Sequence, residues 1–248
     1  MTTLARQIEL LSPHFKVTRP GGGGRVPAII MLHGCGGPRP FIDDMARVAA
    51  NAGVAAIVVD SFAPRGIGRI AALATVCTGA RLQGRERAGD LFAAFAWART
   101  RDWIDSRRLG AIGWSHGGWT ILDALSLHAG RELSRATGLS ELPAEPLEGL
   151  IAAMAVYPYA GIGSLVGQRR WRINPRTTAI VAEHDYIVGA TRGALERQRA
   201  HGAALDIVLF EDTTHAFEDA ETGDPRVRFN PTALAREQEI LRAMIARL

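Results

Sequence analysis

Six short apolar runs alternate with longer helical segments, and this alternation restricts the fold more than any other feature of the chain. The runs are nearly continuous in apolar residues, as is typical of parallel strands that are buried on both faces. They lie at 28–33, 54–60, 109–114, 150–157, 178–183 and 206–210. Segments with helical spacing lie at 41–52, 85–101, 117–130, 190–201 and 232–247. The pattern predicts an α/β fold with a mostly parallel central sheet and helices on both faces.

The 248 residues are predicted to form a single domain, 1–248, without an internal repeat. The glycine run at 21–24 follows a short predicted strand at 15–18, and we interpret it as a hairpin turn because too little chain precedes it to fold alone. We expect two excursions from the sheet. One is a polar connection near the site at 131–148. The other, at 160–172, is a lid or, as the favoured alternative, an ordinary solvated loop.

The chain is basic, but its basic residues form no patch. Lysine and arginine total 29 against 25 acidic residues, giving a net charge of +4, and all but Lys16 are arginines spread along the chain. Nucleic-acid binding requires a basic patch with stacking aromatic residues, so we expect no nucleic-acid partner.

No apolar run reaches the roughly 18 residues of a membrane span. Because residues 1–11 also lack the features of a secretory signal, we expect a cytoplasmic protein without membrane contact. We expect it to be a monomer or a homodimer.

The two cysteines, Cys35 and Cys77, lack the CxxC or Cys/His spacing of a zinc site. In a reducing compartment we expect both to be free thiols. We therefore expect no metal.

The strongest local motif is Gly-Trp-Ser-His-Gly at 113–117, which matches G-x-S-x-G. It follows one predicted strand and precedes a predicted helix, which is the context that this motif requires. The turn from strand to helix is tight enough that only small neighbours fit, and the helix N-terminus favours negative charge on the serine oxygen. The motif predicts that Ser115 is a nucleophile.

A serine hydroxyl needs a base, and the base needs an acid that orients it. In this architecture the chain order is serine, then acid, then histidine. Asp185 follows the predicted strand at 178–183, and His215 follows the strand at 206–210. Both lie where ligands bind in open α/β sheets, so we predict Asp185 as the orienting acid and His215 as the base.

The loop His-Gly-Cys-Gly-Gly at 33–37 follows the first core strand. Acyl transfer needs two N–H donors for the oxyanion. We predict the backbone N–H of His116 as one donor and that of Cys35 or Gly34 as the other. The His33 imidazole is interpreted as structural, bonding to the backbone and fixing the loop.

Three further residues are candidates for substrate binding. Arg65 lies in a predicted loop at the sheet edge and either binds a substrate carboxylate or, as the favoured alternative, holds its own loop by pairing with Asp60. Trp114 and Tyr159 are candidates for an apolar acyl pocket, although large aromatic side chains more often belong to the core. Trp119, Tyr157 and Trp171 are further candidates for the same pocket.

These residues give the chain a family likeness. It resembles the α/β-hydrolases and, within them, the dienelactone hydrolase family. The resemblance extends over about 27–217 and includes Asp-Ser-Phe-Ala-Pro-Arg-Gly at 60–66 and the Arg87, Asp90 and Trp97 pattern. Dienelactone hydrolases proper use a cysteine nucleophile and a glutamate near the oxyanion loop. This chain has Ser115 and no acid between His33 and Phe41, so it resembles a serine-using branch.

The motifs and the resemblance together imply a serine hydrolase that needs no cofactor. It would cleave small-molecule carboxylic esters or lactones through an acyl-enzyme intermediate. A peptidase or thioesterase would use the same three residues. A non-catalytic binding protein on this fold would normally have lost one of them, and here all three are present.

Overall fold

The structure is a computed structural model that describes residues 1–248. The elements in chain order are β1 (Thr2–Thr3), α1 (Leu4–Leu11), β2 (Phe15–Thr18), β3 (Val26–Leu32), α2 (Pro40–Asn51), β4 (Ala55–Val59), α3 (Arg69–Ala71), α4 (Gly84–Arg99), β5 (Ile104–Trp114), α5 (His116–Ser126), α6 (Arg131–Thr137), β6 (Leu139–Ser140), β7 (Leu150–Val156), β8 (Arg176–Ala182), α7 (Arg192–Ala200), β9 (Leu205–Phe210) and α8 (Pro231–Ile245). A π-helical turn, Ala72–Val76, continues α3. None of these helices is both long and apolar enough to cross a membrane.

Seven of the strands form one sheet in the order β2-β4-β3-β5-β7-β8-β9. All neighbouring pairs are parallel except β2 and β4. The parallel arrangement brings the carboxyl ends of β3, β5, β8 and β9 to one edge of the sheet, which is the usual place for a ligand site. The predicted α/β fold with a mostly parallel sheet is confirmed.

Helices cover both faces of the sheet. Ile30 and Leu32 point to the face that carries α1, α4 and α5, whereas Ile29 and Met31 point to the face that carries α2 and α8. All four side chains are fully buried. Burial on both faces explains why this strand is continuously apolar in sequence rather than alternating.

The prediction of a hairpin at 21–24 is wrong. Strand β2 pairs with β4, with Phe15 opposite Val59, and not with β3. Because β4 lies between β2 and β3 in the sheet, the glycine run belongs to a connection that passes β4.

Candidate active site

Ser115 lies in the sharp turn between β5 and α5, with φ 52° and ψ −110°. A Cβ added to Gly113 would lie 2.3 Å from the carbonyl carbon of Gly117, and one added to Gly117 would lie 2.1 Å from the carbonyl oxygen of Leu32. No side chain fits at either position. The two glycines therefore permit the close approach of strand and helix that holds Ser115 in its left-handed conformation.

The structure brings Ser115, His215 and Asp185 into one hydrogen-bonded chain. The distance from His215 Nε2 to Ser115 Oγ is 2.9 Å, and the distance from His215 Nδ1 to Asp185 Oδ2 is 2.7 Å. With Nδ1–H donating to the carboxylate, Nε2 is left to accept the serine proton. The arrangement has the geometry of a nucleophile, a base and an orienting acid.

Asp185 is held by backbone donors as well as by His215. The N–H groups of Ile187 and Val188 each donate to Asp185 Oδ1 over 3.0 Å. The second carboxylate oxygen faces the imidazole ring, and the side chain is only 4% exposed. The acid is therefore fixed in one orientation and remains an acceptor for the histidine.

Backbone N–H groups without an acceptor lie in two segments next to the serine, the start of α5 and the loop after β3. His116 is the first residue of α5, so its N–H has no acceptor within the helix. The N–H groups of Gly34 and Cys35, in the loop after β3, also have no acceptor in the protein. A Cβ on Gly34 would lie 3.5 Å from Ser115 Cβ, which places this loop directly beside the serine. The three predicted donors thus have no acceptor in the protein, and Gly34 lies beside Ser115.

The loop after β3 is held from below by buried polar side chains. His33 donates from Nδ1 to the Gly34 carbonyl (2.7 Å), and its Nε2 accepts the Ser61 N–H (3.2 Å). Burial first, and the nearby Arg87 second, lower the pKa of His33 well below its ordinary value. A neutral imidazole fits these bonds, so the interpretation of His33 as structural is confirmed.

Arg87 on α4 is fully buried beneath the same loop. Its guanidinium donates to the His33 carbonyl (2.7 Å) and the Ser61 hydroxyl (2.9 Å), and lies 3.3 Å from His116 Nδ1. Burial lowers the pKa of Arg87 to about 10, so it remains charged at neutral pH. Arg87 thus joins the loop after β3 to the first residue of α5, a role that sequence reasoning missed.

His116 turns its side chain away from the base. Its pKa is lowered to about 3, chiefly by burial and then by Arg87. Its ring packs edge-on against Trp119. His116 is therefore neutral and contributes to the site only through its backbone.

A second buried polar cluster lies beneath His215. Tyr157 packs its ring 4.5 Å from the His215 ring and donates its hydroxyl to Glu218 (2.7 Å). Trp114 donates its indole N–H to Glu237 (2.8 Å). Burial raises the pKa of both glutamates, and their mutual repulsion raises that of Glu237 further. Sequence reasoning missed both acids.

A cavity of about 800 Å³ opens at the serine. Trp114 and Tyr159, both predicted to bind substrate, line it together with Trp119 and Tyr157. Trp119 is held by Asp123, whose pKa burial raises to about 7, and Tyr159 packs against Trp119 at 4.9 Å. Trp171 packs in the core instead.

The expectation of free thiols is wrong. Cys35 and Cys77 form a disulfide bond, and both line the cavity. The bond fastens the loop that carries the predicted oxyanion donors to the segment that follows the π-helical turn. Sequence spacing does not reveal the pairing, because the two residues meet only when the chain after β4 folds over the loop.

Arg65 does not line the cavity. Its guanidinium forms a two-pronged ion pair with the fully buried Asp90 (2.8 and 2.9 Å) and donates to the Ser61 carbonyl (2.6 Å). The structure places it in the fixation of its own loop, the favoured alternative, but with Asp90 in place of Asp60. Asp60 accepts instead from the N–H groups of Phe62 and Ala63.

The two predicted excursions lie in different places. The segment 131–148 forms α6 and β6, and β6 pairs with β1. None of its residues lines the cavity, so its expected position near the site is wrong; its Leu139 packs on Gly89 of α4 instead. In the second segment, Ile162 and Gly163 do line the cavity.

One exposed cluster has the residue types of a metal site. Ligand atoms of Glu183, His184 and Asp212 lie within 4.8 Å of one another. The cluster is outside the cavity, and exposed acidic groups are common on protein surfaces.

Comparisons with known sequences match parts of the chain. The model of the prolyl oligopeptidase family matches residues 44–131, which contain Ser115 but neither Asp185 nor His215. A probable dipeptidyl-aminopeptidase B of Fusarium vanettenii is 34% identical over 134 residues, or 51% of this chain and 14% of that protein. A protein of the same description from Tuber melanosporum is 29% identical over 132 residues, again 51% of this chain and 14% of that protein. The chain thus spans only a small part of the length of these curated relatives.

Solved structures match nearly the whole chain. A dienelactone hydrolase-like promiscuous phosphotriesterase from metagenomic libraries superposes with a TM-score of 0.67 at 20% identity, over 94% of this chain and 92% of that one. A dienelactone hydrolase from Anabaena variabilis gives 0.60 at 19% identity, over 94% and 90%. A thermophilic esterase from Thermogutta terrifontis gives 0.61 at 18% identity, over 92% and 88%. The chain therefore has the α/β-hydrolase fold, which it shares with these dienelactone hydrolases and esterases.

Proposed function

We propose that the protein is a serine hydrolase that cleaves small-molecule carboxylic esters or lactones through an acyl-enzyme intermediate. The observation that carries the proposal is the hydrogen-bonded chain from Ser115 through His215 to Asp185, at 2.9 and 2.7 Å. Ser115 and His215 line a cavity of about 800 Å³, which is large enough to hold a small-molecule substrate. This geometry supports the roles predicted for Ser115, His215 and Asp185.

In the first half-reaction, Ser115 Oγ attacks the ester carbonyl carbon while its proton moves to His215 Nε2. Asp185 accepts a hydrogen bond from His215 Nδ1–H and stabilises the imidazolium that forms. The carbonyl oxygen becomes an oxyanion, which accepts hydrogen bonds from the N–H groups of His116 and of Cys35 or Gly34. The tetrahedral intermediate then collapses: the ester bond breaks, and the leaving alkoxide takes the proton from His215.

In the second half-reaction, His215 removes a proton from water, and the resulting hydroxide attacks the acyl carbon on Ser115. The same donors stabilise the second oxyanion. When this intermediate collapses, Ser115 Oγ leaves and recovers its proton from His215. The products are a carboxylic acid and an alcohol, joined in one molecule where the substrate is a lactone.

A peptidase function is a second candidate, because the prolyl oligopeptidase family model matches residues 44–131, which include Ser115, and a probable dipeptidyl-aminopeptidase B matches 51% of the chain. An aminopeptidase must hold a cationic N-terminus with a free carboxylate. The carboxylates that line the cavity, Asp219 and Asp224, are already paired with Arg39 and Arg226. This pairing favours esters over peptides with a free N-terminus. A thioesterase would use the same three residues.

The test is a panel of p-nitrophenyl esters, aryl lactones, acyl thioesters and dipeptidyl p-nitroanilides, assayed with the wild type and with Ser115→Ala. We expect ester or lactone hydrolysis with the highest kcat/KM, and we expect Ser115→Ala to lose it. A higher kcat/KM for the anilides or for the thioesters would overturn the assignment to esters.

A further inference from the structure

Exposed apolar side chains gather at the mouth of the cavity. Leu73, Ile162 and Ile187 all line it, and they are 51%, 96% and 37% exposed. Two more exposed apolar side chains, Ile70 and Tyr186, lie within three residues of them in sequence. We call Leu73, Ile162 and Ile187 the apolar rim.

The three rim residues come from separate parts of the chain. Leu73 lies in the π-helical turn after α3, Ile162 in the loop that follows Tyr159, and Ile187 in the loop that follows Asp185. A single exposed apolar residue is ordinary on a protein surface. Here, apolar side chains from three separate segments meet at one opening. Such a cluster of exposed apolar side chains is typical of a surface that binds an apolar group.

The charges of the cavity are almost fully neutralised within the protein. Arg39 forms a two-pronged pair with Asp219 at 2.7 and 2.8 Å, and Arg226 pairs with Asp224 at 3.0 and 2.7 Å. Arg69, which is exposed at the mouth, is the one charged lining residue without a carboxylate partner. A charged substrate group therefore gains little from the interior of this cavity.

The cavity is also large enough for an extended group. Its volume of about 800 Å³ lies at the upper end of the usual range of about 300–1,000 Å³ for small-molecule sites. Phe41, Trp114 and Trp119 also line the cavity, so an apolar group meets aromatic side chains there as well as apolar side chains at the rim. Ordinary short esters would leave much of this surface in contact with water.

We propose that the site takes neutral esters with a long or bulky apolar group, and that the apolar rim formed by Leu73, Ile162 and Ile187 binds the outer part of that group. The proposal rests on the proposed hydrolase function and names its substrate class. It distinguishes this site from one built for small anionic substrates, for which the rim would have no use.

The test compares p-nitrophenyl acetate, butanoate and octanoate, all below their solubility limits. Each buried methylene is expected to raise kcat/KM by up to about fourfold. We therefore expect octanoate to exceed butanoate by at least about tenfold, with four methylenes only partly buried. A butanoate that carries a terminal carboxylate is expected to react more slowly than neutral butanoate.

The rim is tested with Leu73→Ser, Ile162→Ser and Ile187→Ser, singly and together. The triple variant is expected to reduce the octanoate-to-butanoate ratio of kcat/KM by at least fivefold, an estimate of about 1 kcal/mol from the lost apolar contact. The rate with acetate is expected to stay within twofold of the wild-type rate in Leu73→Ser, Ile162→Ser and their double variant, because these two side chains do not touch the reacting atoms. Ile187→Ser is excluded from this comparison, because the Ile187 N–H donates to Asp185. Leu10→Ser is the matched control, since Leu10 is 39% exposed on α1 and does not line the cavity.

A flat or falling profile with chain length would overturn the proposal. So would an equal loss on acetate and octanoate in the double variant of Leu73→Ser and Ile162→Ser, or an equal change in Leu10→Ser. If no ester of any length is cleaved in a Ser115-dependent reaction, the proposed function itself fails. Hydrolysis of acetate that depends on Ser115, without a chain-length preference, rejects the apolar rim alone.

Discussion

Breaking the Cys35–Cys77 disulfide bond is expected to lower both the stability of the protein and the rate of the chemical step. The bond joins residues 42 positions apart in sequence. The chain-entropy relation for a loop of that length gives about 4 kcal/mol of stabilisation. In a chain of this size, each kcal/mol of lost stability lowers the Tm by about 2–4 °C, so we expect the Tm to fall by about 8–16 °C.

The effect on activity follows from the position of the bond. It anchors the loop that carries the Gly34 and Cys35 N–H groups, which are the proposed partners of the oxyanion. Complete loss of one oxyanion donor costs about 10²–10³-fold in kcat. A loosened loop retains the donor but holds it less well, so we expect a smaller fall in kcat and little change in KM.

The assay measures the unfolding midpoint and ester hydrolysis with and without a phosphine reductant. The Cys77→Ala variant is the control, because it should match the reduced wild type in both properties and should not respond to reductant. Two titratable thiols in the untreated native protein would refute the reasoning. So would a midpoint that reductant does not change in the wild type.

Three further substitutions test the buried groups. Glu237 and Glu218 have raised pKa values in the folded protein, so above the ordinary value of 4.5 the folded state keeps protons that the unfolded state has released. The free energy of unfolding should therefore fall as pH rises, by up to about 1.4 kcal/mol per pH unit for each of the two groups, and fall less steeply in Glu237→Gln, as measured by urea unfolding between about pH 5 and pH 8. Arg65→Ala removes the ion-pair partner of buried Asp90 and should cost about 3 kcal/mol of stability in the same assay. It should leave the KM values for anionic and neutral esters equally unaffected. Gly117→Ala places a Cβ 2.1 Å from a backbone carbonyl oxygen, and it should lower stability by more than about 3 kcal/mol or prevent folding, as judged by soluble yield and urea unfolding.

Each of these expectations has a contrary result. A pH profile of stability that is identical in Glu237→Gln and the wild type would contradict the raised pKa. An increase in KM confined to anionic esters in Arg65→Ala would show that Arg65 binds substrate after all. A stable, soluble Gly117→Ala protein would contradict the tight packing of the strand against the helix.

The candidate triad could be predicted from sequence because each of its residues follows a strand. Parallel strands end at one edge, so Ser115, Asp185 and His215 meet there although 100 residues separate the first from the last. The G-x-S-x-G motif adds a local requirement for glycine, which the structure explains because a Cβ at Gly113 or Gly117 would lie 2.3 or 2.1 Å from a backbone atom. Periodicity and strand ends were therefore sufficient for the fold and for this part of the site.

The buried side chains and the disulfide bond that lie around the triad have no recognisable motif or spacing in the sequence. Arg87 is a charged residue in an arginine-rich chain, and only the folded structure shows that it is fully buried. Glu218 and Glu237 lie in a loop and in α8, and their proximity depends on how α8 packs on the sheet. The pairing of Cys35 with Cys77 likewise depends on the path of the chain after β4. These features require long-range contacts that a single sequence does not encode in its spacing.

The most direct test of the central claim is peptide mapping by mass spectrometry after reaction with a fluorophosphonate. We expect one phosphonylated residue, Ser115, with labelling abolished in Ser115→Ala. We also expect labelling in Asp185→Asn to be slowed on the order of 10³–10⁴-fold, because the histidine loses its orienting carboxylate. Undiminished labelling in Ser115→Ala, or modification of a different residue in the wild type, would contradict the central claim.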